Sequence, residues 1–123
     1  MTEFERNMIL EFMEKNKIDG YHNFLICHSG PNPILKFILG FPWNPMYETL
    51  ISRACVLIFT DQYIVIYTMP ILTNFSELPK ISLEDRRTRL IPRKDVHDII
   101  VGKDLQDTYI KLYSVGFARY YYL

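Results

Sequence analysis

The chain has 123 residues, 49% of them hydrophobic, 15% aromatic and 23% charged; this is too apolar for intrinsic disorder and fits one domain with a single packed core. Lys plus Arg and Asp plus Glu both number 14, so no net field draws the chain to nucleic acid or to an anionic membrane. Any recognition of charge has to be local.

The N-terminal "MTEFERN" is acidic and no apolar run follows it, so no secretory leader is expected. Cys27 and Cys55 are then expected to be reduced thiols in a cytoplasmic protein. Thr2 and Glu5 fit a capping box, and Phe4, Met8, Ile9, Phe12 and Met13 recur at spacings of three and four, which predicts a helix over 2–15 with an apolar stripe. Residues 16–20 supply its stop, with Gly20 able to take the left-handed conformation. "NFLICH", 23–28, reads as a strand ended by the turn residues Ser29 to Pro33. "ILKFILGFPWNP" is too short for its period to decide and is read as a short helix or irregular loop. The longest nearly uncharged apolar stretch, 34–46, contains Lys36 and two prolines and is too short to span a bilayer, so no transmembrane segment is expected.

Strands are then predicted at 53–60, 63–69, 88–91, 96–101, 108–115 and 118–123. Asp61-Gln62 makes a tight hairpin, 92–95 a short turn and 102–107 a polar connection, so sequence neighbours can pair antiparallel. The segment 70–87 reads as a long loop with a short strand or turn near 81–83. Val56 to Phe59 and Tyr63 to Tyr67 are apolar at almost every position, which requires that both faces of the hairpin be covered. A strongly bent sheet or small barrel satisfies this if inward residues fill its interior and the helix shields the outer face. Otherwise an exposed apolar patch would favour self-association. The expected fold is α+β and mainly β: a single domain over 1–123, with an N-terminal helix in 1–20 and six to seven antiparallel strands in 23–123.

Three phrases, "VLIFTDQYIVIY", "LIPRKDVHDIIV" and "YIKLYSVG", occur in an order that resembles the bacterial pleckstrin-homology-like and GRAM-like domains over roughly 53–123. The resemblance implies a bent seven-stranded barrel with one end plugged by a C-terminal helix. The sequence closes on "FARYYYL", so that end is expected to be open or to be served by the helix over 2–15. That fold hosts lipid binders, peptide binders and structural modules, and so implies binding rather than catalysis.

Two candidate sites stand out. "FILGFPWNPMY" carries Phe37, Phe41, Trp43 and Tyr47, a set of large aromatics suited either to anchoring a protein partner or to sealing the core as a loop. Contacts with a protein partner, or self-association through this segment and an open sheet edge, are the leading expectation. "RRTRLIPRK" places Arg86, Arg87, Arg89, Arg93 and Lys94 within nine residues, an alternative site for an anionic lipid or phosphate group. Alternation sets Arg87 and Arg89 on one face and Arg86 on the other. Nearby Glu84, Asp85, Asp95 and Asp98 weaken the field, so solvated edge charge is the plainer reading.

No enzyme activity, cofactor, metal or nucleic-acid partner is expected. Cys27 and His28 are adjacent on a strand and face opposite ways, so they form no dyad, and the cysteines with His22 and His97 lack the close spacing of zinc ligands. Asp95 is expected to cap the 92–95 turn, with His97 and Asp98 flanking an apolar strand. "RYYYL" places Tyr120 and Tyr122 on one face and Tyr121 on the other.

Overall fold

A computed structural model describes residues 1–18, 23–38, 53–70, 75–103, 107–114 and 117–123, with side chains described at all of these except 36–38 and 117. Helix α1 spans Glu3–Lys15 and starts on the expected capping box: Glu5 N–H donates to Thr2 Oγ1 at 3.1 Å and Thr2 N–H donates to Glu5 Oε1 at 3.0 Å. The Thr2 backbone N–H, and after it the Thr2 hydroxyl, stabilise the carboxylate and hold Glu5 below its ordinary pKa. At the other end Ile18 N–H reaches Met13 O at 2.8 Å and Lys17 N–H reaches Glu14 O at 3.2 Å, the paired bonds of a Schellman cap. Met13 and Ile18 are both buried and pack in one cluster, which completes the motif.

The left-handed residue of that cap is Lys17, at φ 54°, and Gly20, to which this role was assigned, lies outside the described residues. A Cβ in this conformation costs about 1–2 kcal/mol, partly offset by the extra freedom glycine has when unfolded. Lys17→Gly is therefore expected to stabilise the protein by about 1 kcal/mol, seen as a higher urea midpoint at unchanged m-value.

Seven strands follow: β1 Phe24–Gly30, β2 Arg53–Phe59, β3 Tyr63–Thr68, β4 Thr88–Pro92, β5 Val96–Lys103, β6 Thr108–Ser114 and β7 Phe117–Tyr122, with a short helix α2, Pro33–Ile38, after β1. They form one antiparallel sheet in the order β4-β3-β2-β1-β7-β6-β5. In a flat sheet the edges β4 and β5 would lie roughly 29 Å apart at about 4.8 Å per strand spacing. Only the 3₁₀ turn Arg93–Asp95 joins them, and a link of that length reaches about 15 Å at most. The sheet is therefore bent until its two edges approach at that corner.

The bent sheet agrees with expectation, but the barrel wall is not closed: among the described residues β4 and β5 do not pair. Pro92 has no N–H to offer, and Arg93 N–H donates to Gln62 O at 2.8 Å, back toward the β2–β3 turn, before the chain swings to the other edge. The β2–β3 hairpin turns as predicted over Asp61-Gln62. The buried Thr60 secures the turn: its Oγ1 accepts from Tyr63 N–H at 3.0 Å and donates to Tyr63 O at 2.7 Å.

Both faces of that hairpin are buried. On the convex side Val56, Ile58, Val65 and Tyr67 pack under Ile9, Phe12 and Met13 of α1. On the concave side Leu57, Ile64 and Ile66 meet Ile91 of β4, Leu112 of β6 and Tyr121 of β7. The helical stripe is one turn shorter than expected, because Phe4 is 54% exposed and burial begins at Met8 and Ile9. The segment expected as a loop holds a 3₁₀ helix, Phe75–Lys80, whose Leu78 is buried beneath α1. Asn16 ties this region down, its Nδ2 donating to Ile81 O at 3.0 Å and its Oδ1 accepting from Leu83 N–H at 3.1 Å. Among the described residues no helix is long and apolar enough to cross a membrane.

Candidate functional site

The antiparallel order makes β4, β2 and β7 run in the same direction, so all three begin at one end of the sheet, where β1 and β3 finish. Each carries an arginine near its start: Arg89, Arg53 and Arg119. Each of these lies two residues before a buried concave-side residue, Ile91, Cys55 and Tyr121 respectively. Because side chains two apart on a strand share a face, all three arginines point toward the concave side rather than outward.

There they line a cavity of about 400 Å³, together with Arg86 and Arg87 from the turn that leads into β4. Among the described residues that line it, five are arginines and none is acidic. Ser29 and Thr68 contribute hydroxyls, and Ile66, Met69, Pro70 and Tyr121 an apolar and aromatic surface. The volume falls within the range of about 300–1,000 Å³ usual for small-ligand sites. Asp85 has its Oδ2 3.8 Å from Arg87 Nη1 while its Oδ1 accepts from Arg87 N–H at 2.8 Å. This contact orients Arg87 and offsets part of its charge.

The expected basic cluster is thus divided and extended. Arg86, Arg87 and Arg89 come together at the cavity. Arg86 joins them because it sits in a turn, where strand alternation does not apply. Arg93 and Lys94 lie in the turn beyond the opposite end of β4 and are not among the lining residues. Arg53 and Arg119 complete the set from elsewhere in the chain. Their signal in the sequence is a charge at an inward position of an apolar alternation, in "RAC" and "RYY", readable only once strand register is known.

Behind the cavity, Cys27 and Cys55 are direct cross-strand partners on β1 and β2. Burial pushes both thiols above their ordinary value of 9.0, Thr68 opposes the shift at Cys55, and at neutral pH they remain protonated and unreactive. Burial likewise raises Tyr121, the two thiols add to the shift and Arg89 opposes it. Cys27 is buried and His28 exposed, on opposite faces as expected. Asp98 Oδ1 accepts from Ile99 N–H at 2.9 Å, and the turn over Arg93–Asp95 carries no side-chain cap, so the role expected of Asp95 is not formed. Among the described residues no group of three His, Cys, Asp or Glu is placed to hold a metal ion.

Of the aromatic segment, Phe41, Trp43 and Tyr47 lie outside the described residues, as does the side chain of Phe37 at the end of α2. The terminal tyrosines divide as expected: the ring of Tyr109 lies 5.8 Å from those of both Tyr120 and Tyr122, tilted against each, while Tyr121 enters the concave core. The open edge strand β5 leaves Ile100 44% and Val101 67% exposed. No family model, curated protein or solved structure matches the chain.

Proposed function

We propose that this chain is a non-enzymatic binding module, a half-closed barrel of the pleckstrin-homology-like kind, that holds a phosphate-bearing anion in its arginine-lined cavity. The observation that carries this reading is the arrival of arginines from β2, β4 and β7 at one end of the concave face, joined by two more from the turn before β4. Guanidinium groups present planar pairs of N–H donors that match phosphate oxygens two at a time, and a concave, partly apolar setting strengthens those bonds. The raised thiols of Cys27 and Cys55 favour binding over covalent chemistry.

The test is to titrate the protein with inorganic pyrophosphate by calorimetry and to sediment it with vesicles containing acidic lipid, comparing it with the Arg53→Glu/Arg89→Glu double variant. At least one ligand is expected to bind the parent protein, more weakly as salt rises, and the double variant to bind it roughly 100-fold less tightly with its circular dichroism unchanged. Absence of binding by the parent, or equal binding by the variant, would remove the reading.

A further inference from the structure

Strand β5 is an edge of the sheet, and the alternation of hydrogen bonds fixes which of its main-chain groups point away from β6. Leu123 N–H donates to Thr108 O at 2.9 Å, so on β6 the even-numbered residues bond toward β7 and the odd-numbered ones toward β5. Ile100 and Gly102, opposite Lys111 and Tyr109, therefore bond to β6, whereas Ile99, Val101 and Lys103 turn their N–H and C=O groups outward. Ile99 agrees with this: its N–H donates to Oδ1 of the neighbouring Asp98 at 2.9 Å, not to a β6 carbonyl.

The two edges of the sheet are unequally protected. β4 has five residues, ends on Pro92 and carries Arg89, all features that discourage strand addition. β5 has eight residues and no proline, and its bulge lies at its start, between Val96 and Asp98. Its middle is the unbroken run Ile99, Ile100 and Val101, exposed by 38, 44 and 67%. We infer that β5 pairs antiparallel with β5 of a second copy of this chain, about a two-fold axis at Ile100, so that two sheets become one.

The strand is self-complementary in that register. Ile99 faces Val101 of the second copy, and Val101 faces Ile99, an arrangement that makes about four main-chain hydrogen bonds from the outward groups. Ile100 faces its own counterpart where the strands come closest, with Cα atoms about 4.5 Å apart. Sliding the strands by two residues either way sets Asp98 or Lys103 against an isoleucine, and sliding by one turns the bonding groups out of match. His97 and Lys103 meet at the ends, where both are exposed.

The pairing also replaces the bond that it breaks. Once Ile99 N–H takes the carbonyl of Val101, the Asp98 carboxylate loses its donor, but it now stands opposite Gly102 of the second copy on the same face. There the ring of Tyr109 lies over the bare glycine, its hydroxyl 2.6 Å from where a Cβ would be. Opposed Cβ positions are about 4.5–5.5 Å apart, which brings that hydroxyl within reach of the Asp98 carboxylate. Among the described residues the Tyr109 hydroxyl has no other hydrogen-bond partner. Each copy thus supplies an acceptor and a donor to the other.

The test is sedimentation velocity of the full chain across a wide range of concentration. One pair of strands makes a small interface, so a monomer–dimer equilibrium with a dissociation constant on the order of 10–100 μM is expected. Ile100→Lys sets two ammonium groups against each other at the axis, and Val101→Pro deletes an outward N–H that β6 does not use; each is expected to stay monomeric with unchanged circular dichroism. Tyr109→Phe is expected to weaken association about tenfold. Hydrogen exchange adds a signature of this register: the Val101 amide is expected to slow as concentration rises, while that of Ile100, already bonded to β6, is slow throughout. A parent protein that is monomeric up to about 1 mM, a dimer retained by Ile100→Lys, or a dimer whose Val101 amide stays unprotected would overturn the inference. If Val101→Pro is unfolded by its thermal melt, Ile100→Lys decides alone. The arginine-lined cavity contains no residue of β5, so the reading of the anion site stands or falls separately.

Discussion

Phe12→Ala is expected to destabilise the protein by about 3–5 kcal/mol, a drop in melting temperature on the order of 15 °C. Phe12 is fully buried between α1 and the convex face of β2 and β3, its ring 6.2 Å from that of Tyr67. Removing the ring forfeits its burial and leaves a void that neither the helix nor the hairpin can close without breaking its own hydrogen bonds. The matched comparison is Phe4→Ala, which deletes the same ring from the same helix where it is 54% exposed and is expected to change stability by less than about 0.5 kcal/mol. Equal effects would mean that α1 does not lie where it is placed. Since domains of this size are stable by about 5–15 kcal/mol, the first variant should also be markedly more sensitive to protease.

Asn16→Ala is expected to cost about 2–3 kcal/mol. The Asn16 side chain accepts from Leu83 N–H and donates to Phe12 O and Ile81 O, at 3.1, 2.9 and 3.0 Å, in a partly buried position. Truncation removes all three bonds and leaves backbone groups of 81–83 without this partner where water is restricted. Asn16→Asp restores the acceptor for Leu83 but sets a carboxylate against two carbonyl oxygens, so it should recover little; chemical denaturation of both variants checks this. Residues 81–83 lead directly into the turn bearing Arg86 and Arg87, so loosening the tether should also weaken pyrophosphate binding although no arginine is touched.

Much of the fold was legible because its signals are local. The capping box at Thr2 and Glu5, the spacing of Ile9, Phe12 and Met13, and the Asp61-Gln62 turn between two apolar runs each depend on residues a few positions apart, and every predicted strand is present. The double-sided burial of the hairpin was also readable, since its two runs are apolar at almost every position and a helix on one face with a bent sheet on the other covers both. Signals that depend on the whole were not readable. Phe4 belongs to the periodic stripe, but only tertiary packing reveals that the stripe is buried from Met8 onward. Lys17 at the helix cap gives no sign in the sequence, where Gly20 was the natural candidate. The cavity was half visible: Arg86, Arg87 and Arg89 stand together in the chain, whereas Arg53 and Arg119 reach them only through strand order and a shared inward parity. Arg93 and Lys94, adjacent in sequence, are separated from them by the length of β4.

The pairing of β1 with β7 has a kinetic consequence. His28 lies opposite Tyr122, nearly the whole chain away, whereas the other strand neighbours are joined by much shorter stretches. Closing so large a loop carries the greatest entropic penalty of any step in assembling the sheet, so this seam is the natural last event of folding, after two smaller meanders have formed on either side of it. Arg89 and Arg53 belong to one meander and Arg119 to the other. The arginine-lined cavity is therefore complete only once this seam has formed.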